Sequence, residues 1–197
     1  APRLKKGHVA AGVLVSLAAF FMFGLRIAWP GWSLAIGYAL LAAGLSCESN
    51  APVRGATELR SRQQGTGHSL VDMGDDEFTQ GRPHPMIDPS QKDARIRDEV
   101  ADPTTAVVLF DIVLGYGSAD DPTAELLAII GSARAKARAE GRTVAFIGYV
   151  CGTDLDPQDR AKSVAGLKAA GVLVASSNAE AAVWSATLIA ERQGASA

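Results

Sequence analysis

Cysteine and histidine are scarce in this 197-residue chain: only Cys47, Cys151, His8, His68 and His84 are present. None of them stands at a C-x-x-C or Cys/His metal spacing. The sequence therefore encodes neither a disulfide framework nor a metal site, and a reducing, cytoplasmic compartment is expected. Aromatic residues make up only 6%, too few for an all-β sandwich. Charge of one sign is lacking too, since 19 Lys and Arg face 21 Asp and Glu for a net charge of −2. This excludes a strongly basic nucleic-acid binder and an acidic tail protein. What is present is a 48% hydrophobic chain rich in Ala, Gly and Val, the composition of an α/β domain. A chain of this length buries roughly 70% of its unfolded surface and needs no cross-link to hold a core.

Charge is also nearly missing from residues 1–50, where only Arg3, Lys5, Lys6, Arg26 and Glu48 are ionised. Val9 to Leu25 is an uncharged run behind the basic cluster of Arg3, Lys5 and Lys6. Three readings stay open. A membrane span needs about 20 predominantly apolar residues, with a lower limit near 17, and Trp29 and Trp32 suit an interface. A signal peptide would carry a shorter apolar core and a small-residue cleavage site. The soluble reading, which is favoured, places a buried strand at Met22–Trp29 and a helix from Ser33 to about Ala43, with Gly44 as its stop. Residues 1–24 are an apolar segment left unassigned, and membrane contact through residues 9–25 is the lesser reading.

From residue 51 the pattern is regular. Short apolar runs at Ser69–Met73, Ala106–Leu114, Thr143–Val150 and Val172–Ala175 read as buried strands. Helical spacing fills roughly 89–100, 122–140, 157–170 and 178–192. Asp88-Pro89, Asp121-Pro122 and Asp156-Pro157 read as helix starts, and Gly141 and Gly171 as stops. With Met22–Trp29 the count is five strands. The fold expected is α/β: a flavodoxin-like three-layer sandwich with a mostly parallel five-stranded sheet.

In such a sheet ligands bind beyond the carboxyl ends of the strands. The loop from Gly74 through Asp75, Asp76, Gly81, Arg82 and His84 to Pro89 concentrates acids, an arginine and a histidine before a helix. Gly115 and Gly117 follow the next strand, and Cys151, Gly152 and Thr153 the one after. Glycines let backbone approach a ligand, and helix N-termini offer N–H groups to an anion. Cys151 reads as an inert strand-end residue, because no base and no activating group accompanies it in sequence.

The run from Gly74 to Pro89 closely resembles the long signature of FdrA-type proteins, relatives of the succinyl-CoA synthetase α subunit that are often labelled acyl-CoA synthetases. Phe110–Gly117 and Cys151–Gln158 resemble two further blocks of that family, in the right order. The resemblance covers about residues 67–192. It implies that residues 25–197 form a succinyl-CoA-synthetase-like ligase domain without the CoA-binding Rossmann domain. In the true ligases a histidine in the loop after the fourth strand carries a phosphoryl group. Here Cys151–Gln158 contains no histidine.

The resemblance implies CoA, a nucleotide or carbamoyl phosphate as cofactor or substrate, and a place in an oxamate carbamoyltransferase of anaerobic allantoin catabolism. Two functions follow. In the first, an enzyme subunit handles an acyl or carbamoyl phosphate, with Arg82 clamping an anionic oxygen and His84 donating a hydrogen bond or moving a proton. Gly74, Asp75, Asp76, Gly81, Gly115, Gly117, Cys151, Gly152 and Thr153 would line that site. In the second, the domain is a non-catalytic assembly element and Pro83-His84-Pro85 is a structural turn. The expected partners are a small anionic substrate and a second subunit, either another copy or a different chain. Nucleic acid is not expected.

Overall fold

A computed structural model describes residues 39–194 apart from 42, 53 and 60–66. The strand expected at Met22–Trp29, the start of the helix expected from Ser33, and the domain boundary at residue 24 lie outside the described residues. The chain divides into two units, residues 1–72 and 73–197.

In the first unit β1 (Cys47–Ser49) pairs in parallel with β2 (Thr57–Glu58) and β3 (His68–Leu70), in the order β2-β1-β3. The helical turn before β1 ends where expected. Gly44 adopts φ 77°, the Gly44 N–H donates to the Leu41 carbonyl, and the Leu45 N–H donates to the Leu40 carbonyl. Leu40 and Leu45, the apolar pair of this closing motif, are both buried. Past the strands, the Asn50 side-chain amide takes both the N–H and the C=O of Asp72, at 2.8 Å each. The amide thereby replaces one more rung of the β1–β3 ladder.

The second unit is a three-layer α/β/α sandwich. A short helix α1 (Asp76–Thr79) and α2 (Ser90–Ala101) precede β4 (Val107–Val113). Then follow α3 (Ala124–Ala139), β5 (Ala145–Cys151), α4 (Arg160–Ala169), β6 (Leu173–Ala175) and α5 (Asn178–Gly194). The sheet is parallel, β4-β5-β6, with Val107 opposite Ala145 and Ile147 opposite Leu173. Alternation along β4 sends Val108, Phe110 and Ile112 into one core, where α3 inserts Leu126, Ile129, Ile130, Ala133 and Ala137. That spacing is one helical face. The opposite face of the sheet packs Val107, Leu109, Ile147 and Tyr149 against Ala181, Trp184 and Leu188 of α5.

The α/β class and the parallel pairing are as the sequence implies; the strand count is corrected. Six strands in two sheets of three are described, instead of five in one. The additions are Cys47–Ser49 and Thr57–Glu58. These are short stretches without an apolar run, formed because neighbouring backbone supplies a ladder and not because of local propensity. A further correction concerns α4, which begins at Arg160. Asp159 caps it by accepting from the Lys162 N–H, and Asp156-Pro157 belongs to the preceding loop.

Candidate functional site

Helices run antiparallel to the strands they cover, so the N-termini of α3 and α4 and the loops after β4 and β5 share the carboxyl edge of the second sheet. Three loops meet there. The Ala119 N–H donates to the Met86 carbonyl (2.8 Å), joining the loop before α2 to the loop after β4. Gln158, buried, joins the loop after β4 to the loop after β5. Its Oε1 accepts from the Gly115 N–H (3.0 Å), and its Nε2 donates to Gly115 O, Ser118 Oγ and Ala119 O at 2.9–3.1 Å.

The loop before α2 holds the charged candidates. Asp75 caps α1 by accepting from the Glu77 N–H, while Asp76 lies in its exposed first turn. Gly81 takes φ 74° in the turn beyond. Arg82 is exposed and its Nη1 donates to Gln91 Oε1 at 3.3 Å, so the guanidinium is held against the first turn of α2. Gln91 in turn donates from Nε2 to the Phe78 carbonyl. It is a tether between α1 and α2. The His84 Nδ1 accepts from the Met86 N–H (3.2 Å), and its carbonyl accepts from Ile87 and Asp88. An Nδ1 that accepts fixes the neutral ring as the Nε2–H tautomer, which presents a donor. Asp88 accepts from the Ser90 N–H, and that bond holds its carboxyl below the usual range.

At the loops after β4 and β5 the backbone donors are engaged from within. Gly115 (φ 135°) gives its N–H to Gln158, and the Thr153 N–H donates to Asp156 Oδ2 at 2.6 Å. Gly117 takes φ 85° with open space where a side chain would be. Gly152 is fixed by crowding: a Cβ there would lie 2.8 Å from Leu114 Cβ and 2.9 Å from Asp156 Oδ2. Cys151 is exposed at the end of β5, and its carbonyl accepts from the Leu114 N–H. Two residues back, burial and then the neighbouring Cys151 push the Tyr149 hydroxyl above its ordinary pKa.

The structure thus gathers Gly115, Gly117, Gly152 and Thr153 through Gln158 and Asp156, and links them to the Arg82–His84 loop through Met86. Gln158 carries no signal of this in the sequence, and Asp156 reads there only as the start of a helix with Pro157. Asp93, four residues into α2, is silent in the same way. It is 1% exposed, neither carboxylate oxygen has a partner, and burial drives its pKa up to about 6. Beside it, burial lowers the Lys92 ammonium, which donates to the Asp111 carbonyl at 3.2 Å. Among the described residues no group of His, Cys, Asp and Glu is arranged to hold a metal. No described helix is long and apolar enough to cross a membrane.

An α/β sandwich with its loops collected at the carboxyl edge of a parallel sheet defines a broad class, and the family profile narrows it. The CoA-ligase profile matches residues 41–188, and the chain belongs to the CoA-ligase family. It is 43% identical over 120 residues to "Uncharacterized protein YahF" of Escherichia coli (strain K12), a match over 61% of this chain and 23% of that protein. The chain therefore matches about a quarter of the length of this relative.

Proposed function

We propose that the chain is the ligase-like domain of an FdrA-type enzyme that handles an acyl or carbamoyl phosphate without a phosphohistidine. It would act as one part of a larger assembly, with an oxamate carbamoyltransferase as the specific case. The observation that carries the reading is the Arg82–Gln91 contact, which holds a guanidinium against the first turn of the 12-residue helix α2. Helix dipole and guanidinium both favour an anion there, and charge-assisted bonds to its oxygens would orient it. His84, as the Nε2–H tautomer, supplies a further donor. Cys151–Gln158 contains no histidine, so no phosphoryl relay is derived through that loop. A bound CoA or nucleotide would supply the acyl carrier or phosphoryl acceptor; no residue is assigned to either.

The second reading, a non-catalytic assembly domain, is favoured by the engagement of the Gly115 and Thr153 N–H groups with Gln158 and Asp156. A titration of the full chain with carbamoyl phosphate, oxamate, ADP and CoA tests the choice. Saturable binding of carbamoyl phosphate is expected, and incubation with γ-labelled ATP should leave no acid-labile, base-stable histidine label. A folded chain that binds none of the four compounds would favour the assembly reading.

A further inference from the structure

His84 is exposed, and an exposed imidazole exchanges between rotamers unless a bond holds it. Its neighbours Pro83 and Pro85 carry no N–H, so the first backbone donor after the ring is that of Met86. That N–H donates to the ring Nδ1 at 3.2 Å. Met86 is held in turn, since its carbonyl accepts from the Ala119 N–H at 2.8 Å. The Ala119 carbonyl accepts from Gln158 Nε2 at 3.0 Å. Three hydrogen bonds therefore lead from Gln158, which is 7% exposed and directly precedes the α4 cap Asp159, to the ring of His84.

The start of that path is fixed more firmly than its end. Gln158 Oε1 accepts from the Gly115 N–H, while Nε2 also reaches Gly115 O and Ser118 Oγ. These bonds need an acceptor and a donor on one neutral group at the end of a two-methylene stem. Glutamate at neutral pH lacks the donor, and lysine lacks the acceptor. A carboxamide so held fixes where Ala119 lies, and through it where Met86 can offer its N–H. A side chain ordered in this way loses its rotamer freedom on folding and not on binding, which favours the ligand it later meets.

We propose that Gln158 is a positioning residue for His84: through Ala119 and Met86 it sets the direction of the Nε2–H donor without itself touching the anion. The proposal rests on the anion-binding reading of the Arg82–His84 loop. It gives the loop after β5 a part in that site through geometry and not through contact.

The test uses the full chain and Gln158→Met, which keeps the side chain's length and removes its donor and its amide acceptor. NMR of the isotopically labelled chain reads the coupling across the Met86 N–H···Nδ1 bond with no ligand present. The coupling is expected in the wild-type chain and should be lost in the folded variant. Gln158→Glu at pH 7, which keeps the bond to the Gly115 N–H, gives the same readout if the first variant does not fold. Calorimetric titration with carbamoyl phosphate should show Gln158→Met binding about two- to tenfold more weakly, the cost of ordering one side chain on binding. In a His84→Ala background the same substitution should bring no further loss. The proposal is overturned if the coupling is absent from the wild-type chain, if it survives both substitutions, or if the binding loss is equal with and without His84. A wild-type chain that shows the coupling and binds no carbamoyl phosphate removes the anion reading, and this role with it; coupling changes without a change in affinity remove the role alone.

Discussion

At Asp93 a carboxylate lies inside the interface of α2 with the core, one turn before Ile96 and two before Val100. Its oxygens have no partner, and the nearby charges of Lys92, Arg97, Glu125 and Asp88 partly offset one another. The pKa is raised from 3.8 to about 6, so the folded chain holds this proton more tightly than the unfolded chain does. Stability from this group is fully present below about pH 3.8 and is lost as pH rises through about 6. Every tenfold gain in proton affinity on folding corresponds to about 1.4 kcal/mol, so Asp93→Asn should stabilise the fold at pH 7.5 by about 1–3 kcal/mol. Denaturant melts of both proteins from pH 4 to pH 8 measure this. Curves that stay parallel over the whole range would remove Asp93 as the source. Nothing in the sequence marks this residue, since an aspartate in an exposed-looking Ser-Gln-Lys-Asp turn gives no sign that packing will enclose it.

Among the elements, the link between the loops after β4 and β5 rests on one side chain. Gln158→Ala removes four hydrogen bonds and leaves the Gly115 N–H without its acceptor. At a net 0.5–1.5 kcal/mol per bond, a loss of about 2–6 kcal/mol is expected, with protease cleavage appearing between residues 115 and 120. Gln158→Glu keeps the acceptor but loses the three donated bonds at neutral pH. It should therefore recover part of the loss at pH 4, which melting curves at the two pH values would show. Gly152→Ala forces a methyl into Leu114 and Asp156 and should cost about 1–3 kcal/mol; a change under about 0.5 kcal/mol would mean that the loop yields freely.

The long elements are legible in the sequence because each satisfies its own local rule. Val107–Val113 alternates, Ala124–Ala139 carries a helical apolar face, and Gly141 and Gly171 close helices at φ 70° and 80°. β1 and β2 are hidden because three- and two-residue strands owe their existence to neighbouring backbone. The loops are legible as glycine-rich strand ends, but not the partners that fill them. Gln158 reaches Gly115 across 43 positions, a distance that no spacing rule spans.

At the scale of the whole molecule, the chain matches 23% of YahF and ends its sandwich in an apolar-tipped edge. The exposed Tyr116 and Leu155 of that edge are one reason to expect association. The uncharged run from Val9 to Leu25 adds a second reason to expect association. At tens of micromolar without detergent the chain should sediment as an oligomer or a self-associating mixture, and a sharp monomer boundary would contradict this.

The central claim is that the Arg82 loop holds a phosphate-bearing anion. The most direct measurement is a carbamoyl phosphate titration of the wild-type chain and Arg82→Ala, each paired with a melting curve. Arg82 is exposed and its side-chain hydrogen bond to Gln91 is long, so removal of the side chain should change stability by less than about 0.5 kcal/mol. Loss of a charge-assisted contact worth about 1.5–3 kcal/mol should weaken binding roughly ten- to a hundredfold. Unchanged affinity together with a clear drop in melting temperature would contradict the account.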